Sequence, residues 1–401
     1  MSEQASAERT NSHPLAGKIM SGADIVVQVL ADEGVDTIFG YSGGAILPTY
    51  DAVFRYNKLH GGEGGRSPMP LIVPANEQGA GFMASGYARA SGKVGVVMVT
   101  SGPGATNTVT PVRDCMADSV PVVVICGQVP RSAVGTDAFQ EAPVSAIMGA
   151  VAKHVFLVTD PERLEATIRS AFELARTGRP GPVVIDIPKD VQNWEGAFMG
   201  SGALPLTGYR RRLQAVTENR LTDESCERFF EMLAESERPL IYAGGGVINA
   251  NAAKSMRRLA SEYGIPVTTT LMALGASDTR HPLALHMLGM HGIASANYAV
   301  EDCDFLMAVG ARFDDRVAGD PTRFAPNAKR IAHFDVDSAE IGKVKRVDWH
   351  HVGLLDRDLT ELLAYGRRIG FSKDFQAWHE EIAHLKQEHC LNYDRDSELI
   401  Q

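Results

Sequence analysis

Short runs of apolar residues alternate with amphipathic segments along most of the chain, and this alternation predicts its secondary structure. Residues 120–126 form a wholly apolar run, which is typical of a strand buried on both faces of a parallel sheet. Residues 21–33 carry apolar side chains at helical spacing, and residues 161–176 are also predicted to be a helix. Repeated strand–helix–strand units of this length indicate a doubly wound parallel sheet with helices on both faces.

The same alternation begins again after residue 222. Residues 193–222 are rich in Gly, Pro, Leu and Arg without a strong period, so we interpret them as an interdomain linker. The fold class is therefore α/β, with two doubly wound parallel-sheet domains in tandem. The predicted strands of the second domain are residues 239–243, 266–270, 304–309 and 329–336, the last clear one. The predicted limits are a disordered arm over 1–18, a first domain over 19–192, the linker, a second domain over 223–366 and a tail over 367–401.

Composition and charge narrow the class of protein. The 401 residues carry a net charge of −10, and no cluster of Lys and Arg opposes it, which argues against a nucleic-acid partner. The five cysteines are scattered without a CxxC pair, so they suit a reducing compartment and indicate neither a disulfide framework nor a metal site. The polar first residues do not form a secretory signal, and no apolar run approaches the roughly 20 residues of a membrane span. We therefore predict a soluble cytoplasmic protein that does not bind a membrane.

Candidate chemistry concentrates between residues 74 and 107. Glu77 stands at the end of an apolar strand and at the start of a helix whose small residues permit close approach to a neighbouring surface. A lone acid facing a glycine-lined crevice is what cofactor chemistry on a heteroaromatic nitrogen needs. The alternative is that Glu77 is an ordinary first-turn acid favoured by the helix dipole. The glycine loop over 40–45 either brings backbone amides close to a ligand or forms an ordinary tight turn.

Glycines and polar residues also follow the predicted strands of the second domain. Residues 244–246, 286–292 and 310–316 and Asp335 stand at the carboxyl ends of strands, where open α/β sheets bind ligands. The three consecutive glycines lack the GxGxxG spacing of a dinucleotide fingerprint, so alone they are a weak signal. In the first domain, the long irregular segment 127–143 is of the kind that tends to be functional.

Taken together, these motifs resemble those of the thiamine-diphosphate-dependent 2-keto-acid enzymes, and most closely those of the acetolactate synthase family. Each motif is weak alone, but the set in this order, from about residue 21 to residue 337, is specific. The motifs are FGY (39–41), GGA (43–45), EQGA (77–80), GYARA (86–90), TSGPGATN (100–107), GTDAFQE (135–141), GRPGP (178–182), DIPKD (186–190), LGMHG (288–292) and GARFDDRV (310–317).

The resemblance implies a carboligase of branched-chain amino-acid biosynthesis. Pyruvate would be decarboxylated on thiamine diphosphate, and the two-carbon unit would pass to a second 2-keto acid, pyruvate or 2-ketobutyrate. Glu77 matches the glutamate that hydrogen-bonds N1′ of the aminopyrimidine and favours the imino tautomer, whose 4′-nitrogen removes the thiazolium C2 proton. Gly43, Gly44 and Gln140 match positions at the reacting end of the cofactor.

Three cofactors follow from the same resemblance: thiamine diphosphate, FAD and Mg²⁺. The flavin of this family is structural, and the Mg²⁺ ligands belong to a third domain with a GDG motif that this sequence does not contain, so no metal ligand is predicted here. The further positions matching thiamine diphosphate are Pro103 and Asn107. The positions matching the FAD-binding shell are Arg179, Gly244, Gly245, Gly246, Thr270, Leu271, Leu288, Gly289, Met290, His291, Gly292, Gly310, Ala311, Arg312, Asp314, Asp335 and Val336.

Three positions match substrate contacts. Phe139 and Lys189 match the substrate entrance, with a core aromatic and a surface lysine as the alternatives. Arg316 matches the arginine that meets the carboxylate of the second keto acid, for which a planar bidentate donor is well suited. The alternative is a surface pair of Arg316 with Asp314 or Asp315.

The sequence also departs from the family pattern. Asn76 stands where histidine is usual, and Ser42 stands where proline is frequent. We expect the tail to begin the linker to a missing third domain, and the chain alone to be inactive. The alternatives are another thiamine-diphosphate decarboxylase or carboligase, or a non-catalytic paralogue or assembly module. The resemblance further implies a homodimer or tetramer and a possible small regulatory subunit.

Overall fold

The computed structural model describes residues 13–62 and 67–390, so most of the predicted arm and the end of the tail lie outside the described residues. The chain divides into two compact units, the first ending at Thr207 and the second beginning at Gly208. Each unit contains a six-stranded sheet in which all the strand pairs are parallel. The predicted fold class, two parallel-sheet α/β domains in tandem, is confirmed.

The first unit is built on a sheet of strand order β3-β2-β4-β5-β7-β6, beside which β1 and β8 form an antiparallel pair. Its strands are β1 (Ile19–Ser21), β2 (Ile38–Tyr41), β3 (Leu71–Ile72), β4 (Gly95–Val99), β5 (Val122–Gln128), β6 (His154–Leu157), β7 (Val183–Pro188) and β8 (Glu195–Ala197). Its helices are α1 (Gly22–Asp32), α2 (Leu47–His60), α3 (Glu77–Ser91), α4 (Pro103–Thr106), α5 (Val109–Asp118), α6 (Val144–Gly149), α7 (Leu164–Arg176) and α8 (Lys189–Asn193).

The central strands form the core of the first unit. All the residues of β4, β5 and β7 are buried, which explains why their sequences are almost continuously apolar. Helix α3 packs on this sheet through small side chains, Ala80, Ala84 and Ala88, which contact β4 and α5. Because these side chains are short, α3 lies close to the sheet, and its first residue is held near the strand ends.

The second unit has the strand order β11-β10-β9-β12-β13-β14. Its strands are β9 (Pro239–Ala243), β10 (Val267–Thr269), β11 (Ala284–Met287), β12 (Phe305–Val309), β13 (Arg330–Asp335) and β14 (Trp349–Val352). The helices from the unit boundary onwards are α9 (Thr207–Glu218), α10 (Asp223–Glu235), α11 (Gly246–Asn249), α12 (Ala253–Glu262), α13 (Ala294–Asp302), α14 (Asp315–Ala318), α15 (Leu355–Arg368) and α16 (Gln376–Glu388).

Several element predictions were wrong in detail, for identifiable reasons. The apolar run over 35–39 predicts a strand, but β2 begins only at Ile38, because the amide of Val35 donates to the carbonyl of Leu30 and caps α1. Residues 286–292 predict a loop, but β11 extends through Met287, into the first two of these residues. Strand β14 was missed since its sequence contains two histidines, although Trp349 and His351 face the core.

The chain between and beyond the predicted domains also carries structure. The predicted linker contains β8 and α9. In the predicted arm, the amide of Gly17 donates to the carbonyl of Phe198. In the predicted tail, Trp378 of α16 is buried and donates its indole N–H to the carbonyl of Pro239 at 3.0 Å, so α16 belongs to the core of the second unit.

Within the described ranges, every helix is too short or too polar to cross a membrane.

The close packing of α3 is tested by two glycines on that helix. A β-carbon on Gly81 would lie 2.4 Å from Cγ of Pro111, whereas one on Gly86 would meet nothing within 4 Å. We expect Gly81→Ala to destabilise the chain by about 1–3 kcal/mol through overpacking. Gly86→Ala, the matched control, should stabilise it by about 0.5–1 kcal/mol because it restricts the unfolded chain. Thermal or urea unfolding measures both, and equal effects of the two variants would contradict the packing.

Candidate functional site

The candidate residues of the first unit gather at the carboxyl edge of its sheet. Glu77 follows β3, the glycine loop follows β2, and the segment 100–107 follows β4, and these three strands are neighbours. Phe139 and Gln140 lie on the segment after β5, and Lys189 follows β7. In parallel α/β sheets this edge is where ligands bind.

The carboxylate of Glu77 is buried and half satisfied. Glu77 begins α3 directly after the cap residue Asn76, whose side chain accepts the amide of Gly79 at 2.8 Å. The side-chain amide of Asn107 donates to Oε2 of Glu77 at 2.9 Å, and the residue is only 8% exposed. The described residues supply no hydrogen bond to Oε1. One carboxylate oxygen is therefore available to a ligand.

Gly104 faces this carboxylate, and both Gly104 and Gly43 pack against the side chain of Thr100. A β-carbon on Gly104 would lie 3.5 Å from Oε1 of Glu77 and 2.7 Å from Cγ2 of Thr100. A β-carbon on Gly43 would lie 2.5 Å from Cβ of Thr100, whose hydroxyl accepts the amide of Ala45 at 3.3 Å. The loops after β2 and β4 thus approach each other so closely that only glycine fits.

Tyr50 is buried against Gly40, at the start of the glycine loop. Its hydroxyl donates to the carbonyl of Met98 at 3.1 Å. Burial, and then the negative charge of Glu77, raise the pKa of the Tyr50 phenol well above its usual value. Glu77 is therefore close enough to Tyr50 to act on it electrostatically.

The segment that carries Gln140 forms an ordered turn. Gln140 has a φ of 57°, and its carbonyl packs on Gly102, where a β-carbon would lie 2.3 Å from it. The carboxylate of Glu141 closes the turn by accepting the amides of Gly135 and Ala138. The bond from Gly135 is the main reason why the pKa of Glu141 is lowered.

The two substrate candidates of the first unit have different environments. Phe139 is 87% exposed on this ordered turn, so the alternative of a core aromatic is wrong. Lys189 is half-buried at the start of α8. Beside it, Asp190 accepts hydrogen bonds from the backbone amide and the guanidinium of Arg131. These bonds hold the start of the segment that follows β5 and carries Gln140.

The candidate residues of the second unit also follow adjacent strands. The amide of Gly246 donates to the carbonyl of Gly310 at 3.0 Å, and a β-carbon on Gly244 would lie 2.2 Å from that oxygen. The loops after β9 and β12 therefore touch backbone to backbone. The other candidate residues at this carboxyl edge are Gly245 after β9, Thr270 and Leu271 after β10, Leu288, Gly289, Met290, His291 and Gly292 after β11, Ala311, Arg312 and Asp314 after β12, and Asp335 and Val336 at the end of β13.

Two features of this edge suit a large planar ligand. The hydroxyl of Thr270 is buried and has no partner among the described residues. Leu271 and Met290 are 65% and 64% exposed, although both lie beside the buried core. An orphaned hydroxyl and exposed apolar side chains at one sheet edge fit FAD, which presents polar groups and an apolar ring.

Two predicted residues stand apart. Arg179 precedes β7, at the amino edge of the first sheet, and its guanidinium donates to Ser119 and to the carbonyl of Met116. The structure therefore places Arg179 away from the carboxyl edge of the first sheet. Arg316 is exposed on α14, and in the described part of the chain its guanidinium makes no ion pair with Asp314 or Asp315. The alternative surface pair is thus not formed.

Some residues at the first edge were missed by sequence reasoning. Thr100 and Glu141 lie inside quoted motifs but were given no role, because their partners are known only once the loops are folded. Tyr50 carried no signal. Among residues 13–62 and 67–390, no group of three or more His, Cys, Asp or Glu side chains could hold a metal ion.

Comparison with known proteins identifies both units. Residues 20–147 match the family model of the thiamine pyrophosphate enzyme N-terminal TPP binding domain, and residues 226–362 match that of the central domain. The chain is 45% identical, over 92% of its length, to a protein of Methanocaldococcus jannaschii named probable acetolactate synthase large subunit. It is 44% identical, over 94%, to the acetolactate synthase large subunit of Corynebacterium glutamicum, and 42% identical, over 94%, to the chloroplastic acetolactate synthase of Arabidopsis thaliana.

The alignment covers only part of each relative. It spans 59% of the Methanocaldococcus protein, 57% of the Corynebacterium protein and 54% of the Arabidopsis protein. The chain therefore spans just over half the length of the curated relatives that it matches.

The ordered turn around Gln140 gives a local prediction. We expect Glu141→Gln to speed hydrogen exchange at the amides of Gly135 and Ala138 by about tenfold, because one charged acceptor is lost. Since the pKa of Glu141 is lowered, its contribution is present above its ordinary value of 4.5 and is lost as the pH falls through the lowered value. In acid, the exchange rates of these amides should therefore become equal in Glu141→Gln and in the unchanged chain.

The matched control for that experiment is Asp137→Asn. Asp137 lies in the same turn with a φ of 57°, which asparagine tolerates, and the charge change is the same. Faster exchange of these amides in the control variant would show that the turn depends on net charge, not on the bonds to Glu141.

Proposed function

The chain belongs to the thiamine pyrophosphate enzymes, and from that premise we propose that it provides two domains of an acetolactate synthase. In this proposal the first unit binds the pyrimidine end of thiamine diphosphate and the second binds FAD. The reaction is the decarboxylation of pyruvate and the transfer of the two-carbon unit to a second 2-keto acid. The single observation that carries the proposal is the buried Glu77 carboxylate, whose Oε1 has no hydrogen-bond partner among the described residues and faces Gly104.

Thiamine diphosphate, when bound, supplies the carbon nucleophile that attacks the keto group of pyruvate. Glu77 would share a proton with N1′ of the aminopyrimidine through its free oxygen, while Asn107 holds the other oxygen in place. Gly43, Gly44 and Gly104 would let the pyrimidine approach closely, since Gly43 and Gly104 pack tightly on Thr100 and Gly44 leaves open space beside them. Gln140 would face the reacting end, and burial of Glu77 would exclude water.

The second unit would hold FAD through the glycines after β9 and β12. Gly244, Gly246 and Gly310 bring the two loops together without side chains, and the buried hydroxyl of Thr270, which has no partner among the described residues, would hydrogen-bond to the flavin. Arg312, which is part-buried and 4.0 Å from Asp314, would donate to the diphosphate. In this role the flavin is structural.

Further elements of the proposal concern assembly and substrates. Phe139 and Lys189 would line the substrate entrance, and Arg316 would bind the carboxylate of the second keto acid with its unpaired guanidinium. A homodimer or tetramer, a small regulatory subunit and a cytoplasmic location complete the proposal. Mg²⁺ and the diphosphate would be bound by a further domain of the kind found in the longer relatives.

The first test measures acetolactate formed from pyruvate with thiamine diphosphate, Mg²⁺ and FAD present. The chain is assayed alone and with a separately expressed C-terminal segment of one of its relatives. We expect activity in the mixture, and a loss of at least about 100-fold in Glu77→Gln, because a positioned proton donor and acceptor is removed. Glu162→Gln, which changes an exposed glutamate of the same unit, is the matched control.

Three outcomes would count against the proposal. Near-normal activity of Glu77→Gln would remove the role of Glu77. Carbon dioxide release without acetolactate would favour a decarboxylase. No activity in either arm, with thiamine diphosphate binding also absent, would favour a non-catalytic module.

Binding of FAD is a separate prediction with its own readout. Titration of the chain with FAD should quench or shift flavin fluorescence without any substrate. Arg312→Ala should weaken binding by about 10- to 100-fold, the effect of losing a hydrogen bond to a charged group. Arg280→Ala removes an arginine that is 88% exposed and paired with Asp278 in the same unit, and should leave binding unchanged. Equal weakening in both variants would point to a general charge effect.

A further inference from the structure

Two polar residues interrupt the most apolar part of the first sheet. Strand β5 and strand β7 are buried throughout, and Gln128 and Asp186 are 2% exposed. Asp186 pairs in register with Cys126, two residues before Gln128, so the two polar side chains lie diagonally on the same face. Buried parallel strands are normally apolar, and a buried carboxyl is costly to retain. We therefore expect a polar pair at this place to have a specific role.

The two side chains form a bridge from the sheet to the segment that carries Gln140. The side-chain amide of Gln128 donates to Oδ2 of Asp186 at 2.9 Å and to the carbonyl of Ala142 at 3.3 Å. The side-chain oxygen of Gln128 accepts the amide of Val129 at 2.9 Å. Gln128 is thus bonded to β7 and to both ends of the segment 129–143, which we call the Gln140 loop.

The far end of the bridge lies next to the functional candidates. Ala142 comes directly after Glu141, which holds the turn over 135–141, and two residues after Gln140. The Gln140 carbonyl in turn packs on Gly102 of the turn after β4. A displacement at Ala142 would therefore move Gln140 relative to the crevice that contains Glu77.

The electrostatics of the bridge suit a neutral carboxyl. Oδ1 of Asp186 is buried and has no hydrogen-bond partner among the described residues. Burial raises the pKa of Asp186 to about 7, although the Gln128 amide acts in the opposite direction. The titratable group facing it from β5 is the thiol of Cys126, whose pKa is raised by burial and by Asp186. Helix α6, which packs on β6 and β7, contributes no titratable side chain.

We propose that Asp186 and Gln128 are positioning residues: the buried carboxyl of Asp186 orients the amide of Gln128, which holds the carbonyl of Ala142 and so fixes Phe139 and Gln140 at the carboxyl edge of the first sheet. The role of Gln140 in the reaction rests on the proposed function. The positioning of the loop does not, so it can be tested on the chain itself.

The test is hydrogen exchange of the full chain, with the amides of residues 131–142 as the readout. Gln128→Leu should raise exchange in the Gln140 loop by about tenfold, because its bonds to Ala142 and Val129 are lost. Gln192→Leu is the matched control: Gln192 is a buried glutamine beside the same sheet, but it donates to the carbonyls of Ala45 and Ile187. The control should leave exchange in the Gln140 loop unchanged.

A second variant separates positioning from simple packing. Asp186→Asn keeps a neutral acceptor for Gln128, so the loop should stay as protected as in the unchanged chain at pH 5. The contribution of Asp186 is complete below its ordinary value of 3.8 and is lost as the pH rises to about 7. Protection of the loop in the unchanged chain should therefore fall relative to Asp186→Asn between pH 5 and 8.

The results that would overturn the proposal are distinct from those that would overturn the proposed function. Faster exchange throughout the first unit in Gln128→Leu, or an equal effect of Gln192→Leu on the loop, would reduce the bridge to a packing element. If the ratio of loop exchange rates between the unchanged chain and Asp186→Asn did not change with pH, Asp186 would have no part in positioning the loop. Unchanged loop exchange in Gln128→Leu would overturn the positioning role, whether or not acetolactate formation were lost.

Discussion

The geometry of the candidate site in the first unit depends on the packing around the side chain of Thr100. It fills the space between the loops after β2 and β4, where Gly43 and Gly104 approach it so closely that a β-carbon at either position would collide with it. The Thr100 hydroxyl also accepts the amide of Ala45. Since Gly104 also faces Glu77, the packing around Thr100 places backbone beside the carboxylate, and the side-chain amide of Asn107 holds its other oxygen.

In the second unit, two loops at the carboxyl edge of the sheet also pack closely, but no side chain lies between them. There the loops after β9 and β12 meet directly, with Gly244 and Gly246 against Gly310. Direct contact leaves no room for a side chain at the strand ends, and the hydroxyl of Thr270, which finds no partner in the described part of the chain, lies after the adjacent strand. In both units, therefore, glycine matters because two loops converge, and the neighbouring polar atom is left for a ligand.

The sequence was informative where the local pattern decides the structure. Buried parallel strands are continuous apolar runs, so β5, β9 and β12 could be predicted from apolar content alone. It was less informative where one residue serves two elements, as Val35 does by capping α1, or where a strand is half polar, as β14 is. The sequence placed Glu77, Gln140 and the glycines after strands, but the partners Thr100, Asn107 and Gly102 come from other strands. Contacts of that kind depend on the register of the sheet and leave no local signal.

The Gln140 loop is held by carboxyl groups whose contributions to its stability change with pH in opposite directions. For Asp190, burial raises the pKa but the bonds from Arg131 outweigh it, and for Glu141 the amide of Gly135 is the main cause of a lowered pKa, so both acceptors lose their contribution as the pH falls. Burial raises the pKa of Asp186 to about 7, so its contribution is lost as the pH rises. The loop is therefore held jointly by two charged acceptors at its exposed side and one neutral carboxyl at its buried side. The three contributions therefore overlap in weakly acidic solution, and that of Asp186 is lost as the pH rises through about 7.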